Sequence, residues 1–171
     1  MTNFILKIFI LISFSIGYSQ SNDSICNLQK RNTLWKNEFP KLSLSEKIES
    51  LKNKIEDNSN YLEWKPVKKI IGQYNVLETK AVTDRNGNNC LGHKMLFLVS
   101  YKSGKIKIVD INQNEKWKSV VQKFNSENIK DVDFFFNENS EKKYGMLGGS
   151  GTIVIYIGDK KLEREINKIV M

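Results

Sequence analysis

The stretch that most constrains the fold of this chain runs from Asn128 to Ile157. Apolar residues alternate at its start, a polar connection and a glycine-rich segment follow, and it ends in the β-branched run Thr152–Ile157. Alternation and β-branched runs are typical of strands, and glycine clusters are typical of tight turns. The sequence therefore predicts a unit of strand, connection, turn and strand.

The glycine-rich segment 145–152 invites comparison with a phosphate-binding loop. Such a loop follows the pattern G-x-x-x-x-G-K-[ST], because its lysine reaches the phosphates. No lysine lies between Lys143 and Lys160. A dinucleotide-binding turn opens a helix, whereas this segment runs into a predicted strand. We therefore expect the glycines to shape a turn, and the sequence predicts no cofactor.

The first nineteen residues have the pattern of a secretory signal peptide. Lys7 precedes the apolar run Ile8–Ile16, and Gly17 and Ser19 place small residues before a predicted cleavage site at Gln20. A membrane anchor is the alternative, but the run is shorter than the ~20 apolar residues that span a bilayer. No later segment is long and apolar enough to span a membrane.

The remaining residues suit an N-terminal arm over 20–42 and a single domain over 43–171. The arm is expected to be an irregular lead-in held by Leu34 and Trp35. The formal net charge is +8, which can indicate binding to nucleic acid or another anionic polymer. However, the lysines are scattered among acidic residues and form no dense basic patch. This pattern favours an ordinary solvated surface and no nucleic-acid partner.

Two cysteines and one histidine are the residues with the most reactive side chains. The favoured interpretation is that Cys26 and Cys90 form a disulfide, and the alternative is that they remain separate thiols. A lipid anchor on Cys26 lacks the usual cleavage context. Cys90 and His93 are close enough in sequence to suggest a catalytic dyad, but no orienting third group is evident. Their spacing does not fit a metal site, so none is predicted.

Three segments have helical signals. Ser43–Asp57 begins with the capping box formed by Ser43 and Glu46 and carries an apolar stripe. Glu115–Phe124 has apolar residues at the spacing i, i+3, i+4 and i+7. Asp159 can cap a last helix whose inner face consists of Leu162, Ile166 and Ile169.

The predicted strands alternate with these helices. Pro66 makes Tyr61–Val67 an edge strand or an extended connection, and Tyr74–Thr83 is a strand that ends in a hairpin loop. Lys94–Tyr101 is expected to be buried on both faces and to form a hairpin with Lys105–Ile111. The pattern predicts an α+β fold, a small mixed sheet with helices packed on one face.

Residues 106–157 resemble part of the plug domain of TonB-dependent outer-membrane receptors. That family carries a strand, a polar connection and the pattern Y-G-x-x-G-x-x-G before a closing strand. The positions that match are Ile129, Val132, Phe134, Tyr144, Gly145, Gly148 and Gly151. The chain departs from the family at Ser126, where proline is usual, and at Leu147, where arginine is common.

The resemblance implies a stand-alone plug-like domain, since the chain is too short to form the 22-stranded barrel of such receptors. We expect a non-enzymatic protein of a Gram-negative cell envelope, in the periplasm or outside the cell, that binds an outer-membrane or periplasmic protein. Two alternatives remain. One is a small secreted enzyme that uses His93 and Cys90, and the other is a basic secreted protein that binds an anionic polymer.

Overall fold

A computed structural model describes residues 26–63, 68–71, 74–77, 82–102, 104–136 and 138–169. Within these ranges the chain forms five α-helices and ten β-strands, so the predicted α+β class is confirmed. The helices are α1 (Leu28–Glu38), α2 (Leu44–Asn58), α3 (Lys116–Val121), α4 (Glu138–Tyr144) and α5 (Lys160–Asn167). The strands are β1 (Cys26–Asn27), β2 (Tyr61–Glu63), β3 (Lys68–Ile71), β4 (Tyr74–Leu77), β5 (Val82–Asp84), β6 (Asn89–Leu91), β7 (Leu96–Ser100), β8 (Ile106–Ile108), β9 (Ile129–Phe135) and β10 (Thr152–Ile157).

The main sheet has the strand order β8-β7-β10-β9. β7 and β8 form the predicted hairpin, β10 runs parallel to β7, and β9 runs antiparallel to β10. The two central strands are the most buried, because both of their faces are covered; four of the five residues of β7 are buried, as its unbroken apolar run predicts. This order leaves β8 and β9 at the two edges of the sheet.

Helices α2, α3 and α5 cover one face of the main sheet. The residues that fill the core between these helices and the sheet include Ile48, Leu51, Ile55, Phe97, Val99, Trp117, Val120, Val121, Phe124, Ile153, Ile155, Ile157, Leu162, Ile166 and Ile169. The predicted apolar faces of all three helices are therefore confirmed.

The ends of the helices also follow the sequence signals. The backbone amide and the hydroxyl of Ser43 both donate to the Glu46 carboxylate, at 2.8 Å and 2.6 Å. The Asp159 carboxylate accepts a 2.8 Å hydrogen bond from the backbone amide of Leu162. Side chains thus satisfy polar groups at the starts of α2 and α5.

The N-terminal arm differs from its predicted form. We expected an irregular lead-in held by Leu34 and Trp35, but α1 and a 3-10 turn at Phe39–Lys41 occupy most of it. Phe39 is fully buried, whereas Leu34 is 60 % exposed. The sequence signal is weak because few residues of α1 are buried, and tertiary contacts at its two ends hold it in place.

The second sheet has the strand order β1-β6-β5-β2. Its β5–β6 hairpin confirms the predicted loop at 84–89, in which the Asp84 carboxylate accepts hydrogen bonds from the backbone amides of Asn86 and Asn88. β2 is an edge strand, as expected, and residues 64–67 lie outside the described ranges. The predicted strand Tyr74–Thr83 is two strands, β4 and β5, and residues 78–81 also lie outside the described ranges.

The predicted polar connection between β9 and β10 is mostly helical. It contains α4 and a 3-10 turn at Gly145–Gly148. The hydroxyl groups of Ser140 and Thr152 form a buried hydrogen bond of 2.7 Å, which places α4 against the face of the sheet opposite α2, α3 and α5. No helix within the described residues is long and apolar enough to cross a bilayer.

Candidate functional site

The two motif strands are neighbours in the main sheet. Phe134 of β9 lies opposite Ile153 of β10, and Val132 lies opposite Ile155. Ile129 and Val132 are buried at 1 % and 5 % exposure, but Phe134 is 38 % exposed. One of the three matched strand positions therefore presents an aromatic ring at the surface.

The remaining motif residues shape the turn that leads into β10. Gly151 has a φ of 111°, which side chains of L-residues rarely adopt. Gly148 has a different constraint, because a Cβ atom there would lie 2.6 Å from the carbonyl oxygen of Ser140. The Tyr144 ring lies 5.7 Å from the ring of Phe135. These contacts support the expected structural role of the motif.

A row of aromatic rings extends from the core to the exposed end of β9 on the side that carries α2. Trp35 stacks on Phe39 at 4.3 Å between ring centroids, and Phe39 meets Phe134 edge to face at 6.0 Å. Phe134 in turn lies 5.3 Å from Phe136. We call Trp35, Phe39, Phe134 and Phe136 the aromatic row. Phe39 is fully buried and holds its two neighbours in the row, Trp35 and Phe134, in place.

Two lysines lie over the rings of the aromatic row. The Nζ atom of Lys47 is 5.7 Å from the centre of Phe134, and that of Lys36 is 5.7 Å from the centre of Phe136. Both distances are within the range in which a cation is attracted to an aromatic face. Partial burial lowers the pKa of Lys36. The row therefore combines apolar surface with positive charge.

The opposite face of β9 repeats this combination. The Nζ atom of Lys143 lies 4.0 Å from the centre of the Phe135 ring and 5.5 Å from the centre of the Tyr144 ring. Because side chains alternate along a strand, the consecutive residues Phe134 and Phe135 serve opposite faces. The end of β9 thus presents aromatic rings with lysines on both sides.

Within the described residues β9 pairs only with β10, so its outer edge has no partner strand. An edge strand offers backbone amide and carbonyl groups to an extended peptide, while alternate side-chain contacts provide specificity. The exposed residues Lys130, Asp131 and Asp133 place charges along the same strand. Such charges limit non-specific pairing. The lysine-flanked rings lie at the C-terminal end of β9, where an incoming peptide would meet them.

The residues proposed for catalysis have other roles. Cys26 and Cys90 form a disulfide and lie directly opposite each other in β1 and β6. The predicted disulfide is therefore confirmed, and it removes the thiol that a Cys90–His93 dyad requires. His93 is exposed, and its backbone carbonyl accepts a 2.9 Å hydrogen bond from the side chain of Asn32. Within the described ranges no three His, Cys, Asp or Glu residues cluster as metal ligands would.

No protein-family model, curated protein or solved structure matches this chain. The plug resemblance therefore stays a prediction that rests on the motif residues.

Sequence reasoning missed most of the lysine-flanked surface. It named Phe134 as a strand residue but gave no role to Phe135, Phe136, Lys47 or Lys143. The available signal was the run of three phenylalanines after the exposed polar residues of β9, because an edge strand cannot bury three consecutive large side chains. The contacts of Phe39 with Phe134 and of Lys36 with Phe136 had no local signal, because about one hundred residues separate the partners in sequence.

Proposed function

We propose that this protein is an exported, non-enzymatic component of a Gram-negative cell envelope that binds an outer-membrane or periplasmic protein through the end of β9. The observation that carries the proposal is the partly exposed Phe134, flanked on both faces of an edge strand by lysine-covered aromatic rings. The plug resemblance motivates the choice of compartment and of partner class. The disulfide is compatible with an oxidising compartment.

The chemistry of the surface specifies the partner further. Aromatic rings are common anchors at protein interfaces, and the lysines favour a partner that carries carboxylates near its apolar side chains. We therefore propose that an extended acidic segment of the partner pairs with β9. The charges along β9 would then set the register of the added strand.

A photocrosslinking amino acid placed at position 134 tests the proposal in the native envelope. The matched control is the same amino acid at position 106, because Ile106 lies on β8 at the other edge of the same sheet and is 53 % exposed. The expected result is one crosslinked envelope protein at position 134 that is absent at position 106. Equal crosslinking at both positions, or none, contradicts the proposal.

The crosslinked partner is then purified and its affinity measured with variants. Phe134→Ser and Lys47→Glu are each expected to weaken binding about tenfold or more, whereas Ile106→Ser and Lys105→Glu leave it unchanged. If Phe134→Ser and Lys47→Glu leave the affinity unchanged, the β9 surface is not the interface.

Binding to an anionic polymer is the competing outcome. It predicts affinity that falls steeply with salt concentration, that is lost in Lys47→Glu, and that survives Phe134→Ser. If heparin binding follows that pattern and no protein is crosslinked at position 134, the conclusion is that the partner is an anionic polymer and not a protein.

A further inference from the structure

An open cleft lies between α1 and α2, and no residue of β9 lines it. Its volume is about 370 Å³, and the residues that line it include Arg31, Leu34, Trp35, Ser50, Lys54 and Asp57. Arg31 contacts Asp57 at one end of the cleft, and Trp35 contacts Ser50 at the other, so the two helices run antiparallel. Ser50 and Asp57 are seven residues apart in α2, which corresponds to a length of about 10 Å.

Lys54 is the most buried charged residue of this cleft. Its side chain is 5 % exposed, and its Nζ atom donates a 3.2 Å hydrogen bond to Asp57. An ammonium group has three N–H donors, so the other two have no acceptor among the residues that the structure describes. Burial lowers the pKa of Lys54; the carboxylate of Asp57 opposes this effect, and the charge of Arg31 adds to it. A further acceptor beside Lys54 would therefore stabilise its charged form.

Arg31 shares the carboxylate of Asp57 with Lys54. The Oδ1 atom of Asp57 accepts a 2.7 Å hydrogen bond from Arg31, whereas the Oδ2 atom accepts from Lys54. Arg31 also donates to the hydroxyl of Tyr61. Of the five N–H groups of the guanidinium, the remaining three have no acceptor within the described ranges. Two cations thus converge on one carboxylate and still have hydrogen-bond donors for a second anionic group.

The other end of the cleft combines apolar surface with one hydroxyl group. Trp35 Nε1 donates a 2.8 Å hydrogen bond to Ser50 Oγ, and the stacking of Trp35 on Phe39 fixes the ring. Because Ser50 accepts this bond, its own O–H points elsewhere, and no described residue accepts from it. Leu34 is 60 % exposed at the rim. Trp35 and Leu34 therefore offer contact area to an apolar group beside the donors.

We propose that this cleft binds a small organic carboxylate whose apolar body is a single aromatic ring or a short alkyl chain. The carboxylate accepts hydrogen bonds from Arg31 and Lys54, because a planar guanidinium and an ammonium both pair well with it. The apolar body lies along Trp35 and Leu34, and the 10 Å between the two helix contacts limits its length. A phosphate monoester fits less well, because its greater negative charge is repelled more strongly by Asp57.

Binding of phenylacetate to the purified protein is the direct test, followed through the indole N–H resonance of Trp35. The variant Trp35→Phe identifies that resonance. A saturable shift is expected with a Kd in about the micromolar to millimolar range, since the ligand has few heavy atoms. No saturable shift at high millimolar concentration overturns the proposal and leaves the cluster of Arg31, Lys54 and Asp57 as a contact that only joins α1 to α2.

Three further compounds test the chemical class of the ligand. The alcohol 2-phenylethanol keeps the ring without the charge, and acetate keeps the charge without the ring. Each is expected to bind at least about tenfold more weakly than phenylacetate. Phenyl phosphate is also expected to bind more weakly. If 2-phenylethanol or phenyl phosphate binds as tightly as phenylacetate, the assignment of a carboxylate is wrong.

Lys54→Met tests the charged end of the cleft. It is expected to weaken phenylacetate binding about tenfold or more and to leave the binding of 2-phenylethanol unchanged. Lys52→Met is the matched control, because Lys52 is on the same helix, pairs with Glu49 and does not line the cleft. Equal phenylacetate affinities of the two variants contradict the proposal.

Leu34→Ser tests the apolar end and changes a residue that is exposed, so it stays informative if Lys54→Met does not fold. It is expected to weaken phenylacetate binding about threefold or more and to leave acetate binding unchanged. Leu91→Ser is the control, since Leu91 is 53 % exposed on β6 and lies outside the cleft. An unchanged phenylacetate affinity in Leu34→Ser contradicts the assigned position of the apolar body. None of these measurements involves the edge of β9, so the two proposals fail separately.

Discussion

The Nζ atom of Lys107 donates a 2.7 Å hydrogen bond to the carbonyl oxygen of Ile169, and a 3.1 Å bond to that of Ile166. A lysine of the edge strand β8 therefore satisfies carbonyl groups at the C-terminal end of α5. This contact joins two elements that are about sixty residues apart in sequence. Cations at this end of a helix also interact favourably with its dipole.

Lys107→Met should lower the free energy of unfolding by about 1–2 kcal/mol, because the carbonyl groups lose a charged donor. Lys105→Met is the control, since Lys105 is exposed and lies two residues earlier in the chain. Urea unfolding of both variants measures the effect. Equal stabilities of the two variants would show that the contact contributes nothing.

Gly148→Ala should destabilise the protein by about 2–3 kcal/mol, because the new Cβ atom forces the backbone of α4 away from the turn. Gly145→Ala is a matched comparison, because Gly145 has a φ of 65° but open space around it. Only the backbone cost of about 1 kcal/mol is expected there. Thermal unfolding of both variants checks the order, and a larger loss for Gly145→Ala contradicts this account of the motif.

Breaking the disulfide should lower the free energy of unfolding by about 4 kcal/mol, according to the chain-entropy relation for a closed loop of this length. The two cysteines are 64 residues apart in sequence. The double variant Cys26→Ser with Cys90→Ser is compared with the natural protein in urea, with and without reductant. Reductant should destabilise the natural protein alone. If reductant does not change the stability of the natural protein, and the natural protein is no more stable than the double variant, the disulfide does not contribute to the free energy of unfolding.

Alkaline pH should destabilise the fold through two tyrosines. The hydrogen bond to Asp133, aided by burial, raises the pKa of Tyr156 from 10 to about 12, and burial followed by the charge of Glu163 raises the pKa of Tyr101 to about 12. Both phenols therefore stay protonated to a higher pH in the folded state than in the unfolded state. Their contribution is therefore complete below pH 10 and is lost as the pH rises towards 12.

The phenolate absorbance of the folded protein measures these pKa values. Asp133→Asn should lower the pKa of Tyr156, because the hydroxyl of Tyr156 donates to that carboxylate at 2.8 Å. Asp131→Asn is the control, since Asp131 makes only a minor electrostatic contribution to this tyrosine. Similar titration curves for the two variants would argue against the Tyr156–Asp133 hydrogen bond.

Much of the architecture follows from local patterns in the sequence. The capping residues Ser43 and Asp159 mark the starts of two helices because a cap acts within a few residues. The apolar run of β7 indicates a central strand because burial on both faces leaves no polar alternation. The α+β class was predictable from the way helical and strand patterns follow one another along the chain.

The candidate site was less predictable. Phe134 occupies an apolar position in the strand pattern, yet it is partly exposed because β9 lies at the edge of the sheet. Hydrophobic periodicity identifies the face of a strand but not its place in the sheet order. The lysines over the rings come from α1, α2 and α4, and no spacing rule links these helices to β9.

The glycine-rich stretch, whose pattern predicted a turn and two strands, shows which features the local sequence determines and which features require the tertiary structure. The sequence by itself determined that residues 145–151 do not form a phosphate loop and that a strand follows them, because those conclusions depend on residue types and short spacings. Only the tertiary structure decided that the connection forms a helix and that Phe134 and Phe135 of β9 and the following Phe136 meet lysines at an open edge. These features depend on contacts between distant segments, whose free energy appears only when the sheet is assembled.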